Sequence, residues 1–163
     1  MFSLQNAIDN FFDILQALDK KYQLSKTVGP DYYEPGMMEN LEQYQGDYDS
    51  SKKIAIIKTE VKGLRYENRT SRLDSLLIGE TIQILREPGN VYNSNNFTVL
   101  NNRGESLGNL PAELCNALAP LYDAGYVVID SSSVSYIERI GERSRYAKQG
   151  VLFTKIVLRL RGI

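Results

Sequence analysis

Leu4, Ala7, Ile8, Phe11, Phe12, Leu15, Leu18 and Tyr22 recur at spacings of three and four. That spacing puts one continuous apolar stripe on a helix of about five turns. Ser3 precedes the run as an N-cap, and Asp9, Asn10, Asp13, Gln16 and Lys20 fall elsewhere on the wheel. A stripe holding two adjacent phenylalanines has to be covered, either by the chain's own sheet or by a partner. Residues 1–24 therefore read as an N-terminal amphipathic helix, with residues 4–22 a candidate surface for homodimerisation or docking. From Ser25 to Lys53 the periodicity stops. Gly29-Pro30, Pro35-Gly36 and Gly46 punctuate an acidic stretch bearing Tyr32, Tyr33, Tyr44 and Tyr48. Residues 25–53 read as a surface linker, with a short helical turn near Met37 to Tyr44. A sharper alternative makes this acidic, aromatic segment a gate lying over a basic groove.

Beyond Ile54 the period changes from 3.6 to 2. Ile54 to Val61 reads as a strand, and Asn68 to Leu77 as a polar loop and short helix capped by Ser71 or Asp74. Thr81 to Arg86 alternates like a half-buried strand. Glu87-Pro88-Gly89-Asn90 is a turn, because proline fixes φ and glycine or asparagine tolerates positive φ. Phe97 to Leu100 resumes a strand, Asn101 to Gly104 turns the chain back, and Pro111 opens a helix where a missing N–H costs nothing. Leu114, Ala117, Leu118, Leu121 and Tyr122 share that helix's apolar face, Gly125 caps it, and Pro120 predicts a kink or break near Asn116. Tyr126 to Asp130 and Val134 to Ile140 read as two strands. Gly141 to Gln149 reads as a basic loop, and Val151 to Leu160 as a last strand with an aromatic-basic outer face. About six short strands, two main helices and no long parallel crossover predict an α+β, mainly β fold: a small OB-like antiparallel β-barrel over residues 54–163.

Composition narrows the chemistry. The 163 residues include one cysteine, Cys115, and no histidine. That leaves no internal disulfide and removes nearly every transition-metal site, so a reducing cytoplasmic setting is expected. No apolar run is long enough for a membrane span. Net charge is −1, but it is unevenly spread. Residues 1–50 carry three Lys against nine Asp and Glu, or −6, while residues 51–163 carry 16 Lys and Arg against 11 Asp and Glu, or +5. A basic domain behind an acidic leader points toward a polyanionic partner. Catalytic motifs are missing: there is no histidine base, no glycine-rich phosphate loop with a lysine, and no Gly-x-Ser-x-Gly. Glu80 and Glu87 lie on opposite faces of one strand and form no hydrolytic pair. Neither an enzyme nor a cofactor is expected.

Single-strand binding fits better, since it needs cations for phosphates and flat side chains for bases. Arg65-Tyr66 supplies both at a strand end. Arg86, Asn90, Tyr92, Asn93 and Asn109 lie in loops that the barrel connectivity should bring to the same rim.

Gly63-Leu64-Arg65-Tyr66, Arg86-Glu87-Pro88-Gly89-Asn90-Val91-Tyr92-Asn93 and Gly104-Glu105-Ser106-Leu107-Gly108-Asn109-Leu110-Pro111, followed by Ala117 to Ala119, Leu121 and Asp123 to Gly125, resemble the HIRAN domain over residues 54 to 160. The resemblance implies an OB-like barrel that binds single-stranded DNA at its free 3′ end, accessory to a helicase-like ATPase absent from this chain. It places Arg65 and Tyr66 on the terminal nucleotides and Asn90 and Asn93 on the terminal sugar and its 3′ hydroxyl. Asn109 stands where a His or Tyr is usual. Glu67 replaces a second aromatic, and Ala112 and Glu113 stand where a lysine would help. Asn93 replaces an acid, which costs the hydroxyl a charge-assisted bond of about 1.5–3 kcal/mol. Weaker or less selective binding is the expectation.

Overall fold

The computed structural model describes residues 2–27, 43–64, 69–139 and 150–163. Arg65 and Tyr66, most of the stretch read as a gate, and the basic loop 141–149 lie outside the described residues. Among the described residues, two helices and a helical turn accompany seven strands: α1 (Leu4–Thr27), β1 (Gln45–Asp49), β2 (Ile54–Glu60), α2 (Arg69–Arg72, continued by a 3-10 turn at Leu73–Ser75), β3 (Gln83–Arg86), β4 (Phe97–Leu100), β5 (Ser106–Asn109), α3 (Ala112–Asp123), β6 (Val127–Glu138) and β7 (Val151–Leu160).

The α1 stripe forms as its spacing predicts, and the domain itself covers it. Ala7, Phe11, Leu15 and Leu18 are buried in the same core cluster as Ile57, Leu118 and Ile156. α1 packs against β1, β2 and α3. The motive for a dimerising helix is therefore met internally. Residues 45–49, read as linker, form β1, which pairs antiparallel with β2 (Gly46 opposite Ile57). Gly46 is what lets α1 lie on this strand: a Cβ there would come 2.3 Å from the Leu15 carbonyl oxygen.

The strands make two antiparallel sheets, ordered β1-β2-β7-β6 and β3-β4-β5. Single bridges join them, Lys62 to Asn109 on one side and Thr81 to Ser133 on the other. The expected class, mainly β with flanking helices, is what forms. The expected six-stranded barrel is not a continuous ladder, because the two sheets meet only through these isolated bridges and a few backbone bonds beside them, such as Ile82 N–H to the Ser132 carbonyl and Val134 N–H to the Glu80 carbonyl. β6 is one strand where two were expected. Its irregularities at Ile129/Ser131 and Val134/Tyr136 bend it without ending it. Ser132 belongs in it because its hydroxyl is buried and donates to the Ile82 carbonyl at 2.6 Å across the seam.

α3 likewise runs through Pro120 without breaking. The carbonyl that loses its partner belongs to exposed Asn116, and only three residues of helix follow, so the cost falls on the solvent side of a last turn. Its end is capped as expected, with Gly125 at φ +85°. The outer face of β7 is covered at its start, where Val151 and Phe153 are buried against Tyr44 and Tyr136, and opens toward its end, where Arg159 is exposed.

Candidate nucleic-acid interface

Alternation along the smaller sheet sends Ile84, Phe97, Val99 and Leu107 inward to the core. Leu85, Thr98, Leu100, Ser106 and Asn109 take the opposite face, where the register sets Leu85 beside Thr98, Thr98 beside Asn109, and Leu100 beside Ser106. That outer face is the floor of an open cleft of about 1020 Å³. One rim is formed by Lys62, Gly63 and Arg69, and the other by Glu87, Asn90 and Tyr92 from the β3–β4 loop.

A chain of amides and one carboxylate holds this second rim. Glu87 Oε1 accepts from Asn90 Nδ2 at 2.7 Å and from Asn96 Nδ2 at 2.9 Å. Asn96 Nδ2 also donates to Asn109 Oδ1 at 2.9 Å. Since a carboxylate only accepts, Glu87 fixes the orientation of the buried Asn96 amide, which in turn fixes that of Asn109. Asn109 thereby turns its oxygen to the network and keeps its NH2 for the cleft. The Asn90 oxygen accepts the backbone N–H groups of Tyr92 (2.9 Å) and Asn93 (3.0 Å), which shapes the loop as an Asx turn. Tyr92 stands 95% exposed.

The structure thus brings three of the sequence-derived residues, Asn90, Tyr92 and Asn109, into one cleft. Asn93 faces α3 instead, its Nδ2 donating to Asn116 Oδ1 at 3.1 Å. Arg86 is occupied on every nitrogen. Its Nε and Nη2 grip Asp123 at 3.0 and 2.9 Å, and Nη1 donates to the carbonyls of Ser94 (2.7 Å) and Asn96 (3.2 Å). The hydrogen bonds to Asp123 hold the guanidinium more firmly in its charged form, against a smaller opposing effect of burial. Arg86 therefore ties the β3–β4 loop to the end of α3, and Arg86→Lys, which loses the fork, should cost about 1–3 kcal/mol in a urea titration.

Sequence reading missed Lys62, Arg69, Glu87 and Asn96. Lys62 directly precedes Gly63-Leu64, so its position was the available signal. Its ammonium lies 2.9 Å from Glu60 and its side chain is 55% exposed, which leaves it free to exchange that partner for a phosphate. Arg69 donates to the Gly63 carbonyl at 3.0 Å, fastening its own rim.

The HIRAN domain model matches residues 54–149, which takes in both rims and the floor. The chain belongs to the HIRAN family. HIRAN domains are nucleic-acid-binding modules. The chain is 26% identical over 111 residues to an Arabidopsis thaliana protein named as a SWI/SNF-related matrix-associated actin-dependent regulator of chromatin, subfamily A member 3-like 1. That match covers 68% of this chain and 12% of the relative. Among solved structures it is similar to the HIRAN domain of human HLTF, at 24% identity and TM-score 0.46, covering 64% of this chain and 76% of that one. It is also similar to a Lactobacillus plantarum protein, at 23% identity and TM-score 0.47, covering 64% and 97%. The family match begins at Ile54, at the start of β2, so α1 and β1 are this chain's additions to the matched segment.

Proposed function

We propose that this HIRAN domain binds single-stranded DNA, or the end of a DNA strand, in the cleft on the outer face of the smaller sheet. The observation that carries this reading is the convergence of a fully presented aromatic, Tyr92, with two cations, Lys62 and Arg69, and the amide of Asn109 on one open surface. Lys62 and Arg69 take phosphates, Tyr92 stacks on a base, and the Asn109 NH2 donates to a base edge or a sugar oxygen. Arg65 and Tyr66 join them in this reading, which extends to the free 3′ end that the family resemblance implies. Glu87 tempers the positive potential, so affinity rests on stacking as well as on charge. The module has no chemistry of its own to perform. It lends strand binding to a helicase-like ATPase supplied from outside these residues.

Fluorescence anisotropy at low salt tests this with labelled strands bearing free or blocked 3′ ends. Tyr92→Ala should weaken binding about 5- to 150-fold, the equivalent of about 1–3 kcal/mol for one stacked base. Lys62→Glu should flatten the salt dependence by about 0.7 log unit per lost phosphate contact. No measurable binding of any strand by the wild type at low salt would sink the reading. Equal affinity for free and blocked ends would remove its end-specific part.

A further inference from the structure

Val91 and Tyr92 are the two most exposed large hydrophobic side chains among the described residues, at 88% and 95%. Apolar residues at a loop tip are ordinary when the loop can fold them away, and this loop is pinned from every side. Asn90 Oδ1 holds the N–H groups of Tyr92 and Asn93. Asn93 and Asn95 both donate to Asn116 Oδ1 on α3, at 3.1 and 3.2 Å. Arg86 Nη1 holds the Ser94 carbonyl, and Asn96 N–H bonds the Asn93 carbonyl at 3.1 Å. Burying Val91 and Tyr92 against the domain would break several of these bonds. The tip therefore stays presented, a preorganised apolar projection.

We propose that this tip is a wedge that stacks on the last base pair of a duplex, so that the site takes a strand end at the point where it leaves double-stranded DNA. The inference rests on the cleft reading above and adds its substrate class. Three observations select a base pair as the occupant. Tyr92 lines the cleft and Val91 stands next to it outside the lining, so a strand entering the cleft passes over the tip. The loop from Gly89 to Asn96 has no charged side chain, which suits the flat, uncharged face of a terminal base pair and neither holds nor repels a phosphate. The cations Lys62 and Arg69 are on the opposite rim, which draws the backbone away from the tip and turns the bases toward it. Apolar wedges that stack on or unstack base steps work by this chemistry.

The test compares three labelled DNAs by anisotropy on the intact chain: a short single strand, the same strand as an overhang on a duplex in either polarity, and a blunt duplex. The wild type should bind one overhang duplex about tenfold more tightly than the bare strand, which is about 1.4 kcal/mol. Val91→Ser, at a position fully open to solvent, should keep the thermal midpoint and single-strand affinity while removing that preference. A 2-aminopurine in the terminal pair should be quenched further on binding wild type, as the tip stacks on it, and should change little with Val91→Ser. Single-strand binding with no duplex preference overturns the wedge alone and leaves the tip to a protein partner, as does a preference that survives Val91→Ser. Failure to bind any of the three DNAs overturns the cleft reading and the wedge together.

Discussion

Gly108→Ala is expected to lower the thermal midpoint by about 6–12 °C, from a loss of about 3 kcal/mol at about 2–4 °C per kcal/mol for a chain of this size, and to abolish strand binding. Gly108 has φ +148°, and a Cβ there would lie 2.2 Å from the Lys62 carbonyl oxygen and 2.8 Å from Val61 Cγ1. The first of these is backbone and cannot swing aside. The contact also sits where the two sheets are joined, since Lys62 N–H bonds the Asn109 carbonyl at 2.8 Å and Asn109 N–H returns the bond to Lys62 at 2.9 Å. Pushing the chains apart there separates Lys62 on one rim from Asn109 on the floor. Gly104→Ala is the control: its φ is +78° but its Cβ would meet nothing within 4 Å, so only backbone strain of about 1 kcal/mol is lost. Equal losses for the two variants, measured by thermal melts, would show that the seam does not constrain the cleft.

This seam also marks the limit of what the sequence discloses. Local patterns were enough for β2, β3, β4, β5 and β7, because period-2 alternation and the Pro-Gly-Asn and Asn-Arg-Gly turns act within a few residues. They were enough for α1 and for the placement of Asn90 and Tyr92 on a shared rim. β1, reading Gln45-Gly46-Asp47-Tyr48-Asp49, carries no apolar alternation. It is a strand because β2 presents an edge to pair with and Gly46 admits α1. The serines at 131–133 look like a break and are instead accommodated within β6 by a bulge and a buried hydroxyl bond to Ile82. Arg86 looked like a phosphate ligand because its partner, Asp123, lies 37 residues further along the chain. Asn96 was hidden in an asparagine-rich loop, and its importance comes from being buried between Glu87 and Asn109, which no spacing announces. The misread strands and Arg86 belong to contacts made between distant parts of the chain.

Phe11→Asp should leave no cooperative unfolding transition in urea, and it bears on whether α1 is an appendage or part of the domain. The family match starts at residue 54, yet the core begins at Ala7. Phe11 has no exposed surface. It meets Phe12 edge to face with ring centres 5.5 Å apart, and Phe12 meets Tyr48 in the same way at 5.1 Å, so the aromatic line runs from α1 into β1. Truncation to alanine removes a buried ring and leaves a cavity, at a cost of about 3–5 kcal/mol. An aspartate adds an unpaired charge in the same place and exceeds that, against a total stability of about 5–15 kcal/mol for such a domain. Phe12, only partly buried, should lose about 1–2 kcal/mol on the same change, because its new carboxylate can reach water. A detachable docking helix would behave in the opposite way: Phe11→Asp would keep the wild-type urea midpoint and alter only the sedimenting mass. That outcome would return α1 to the role of a partner surface. Loss of the transition makes it a layer of the core, which supports β1, and through β2 the seam that holds Lys62 in place.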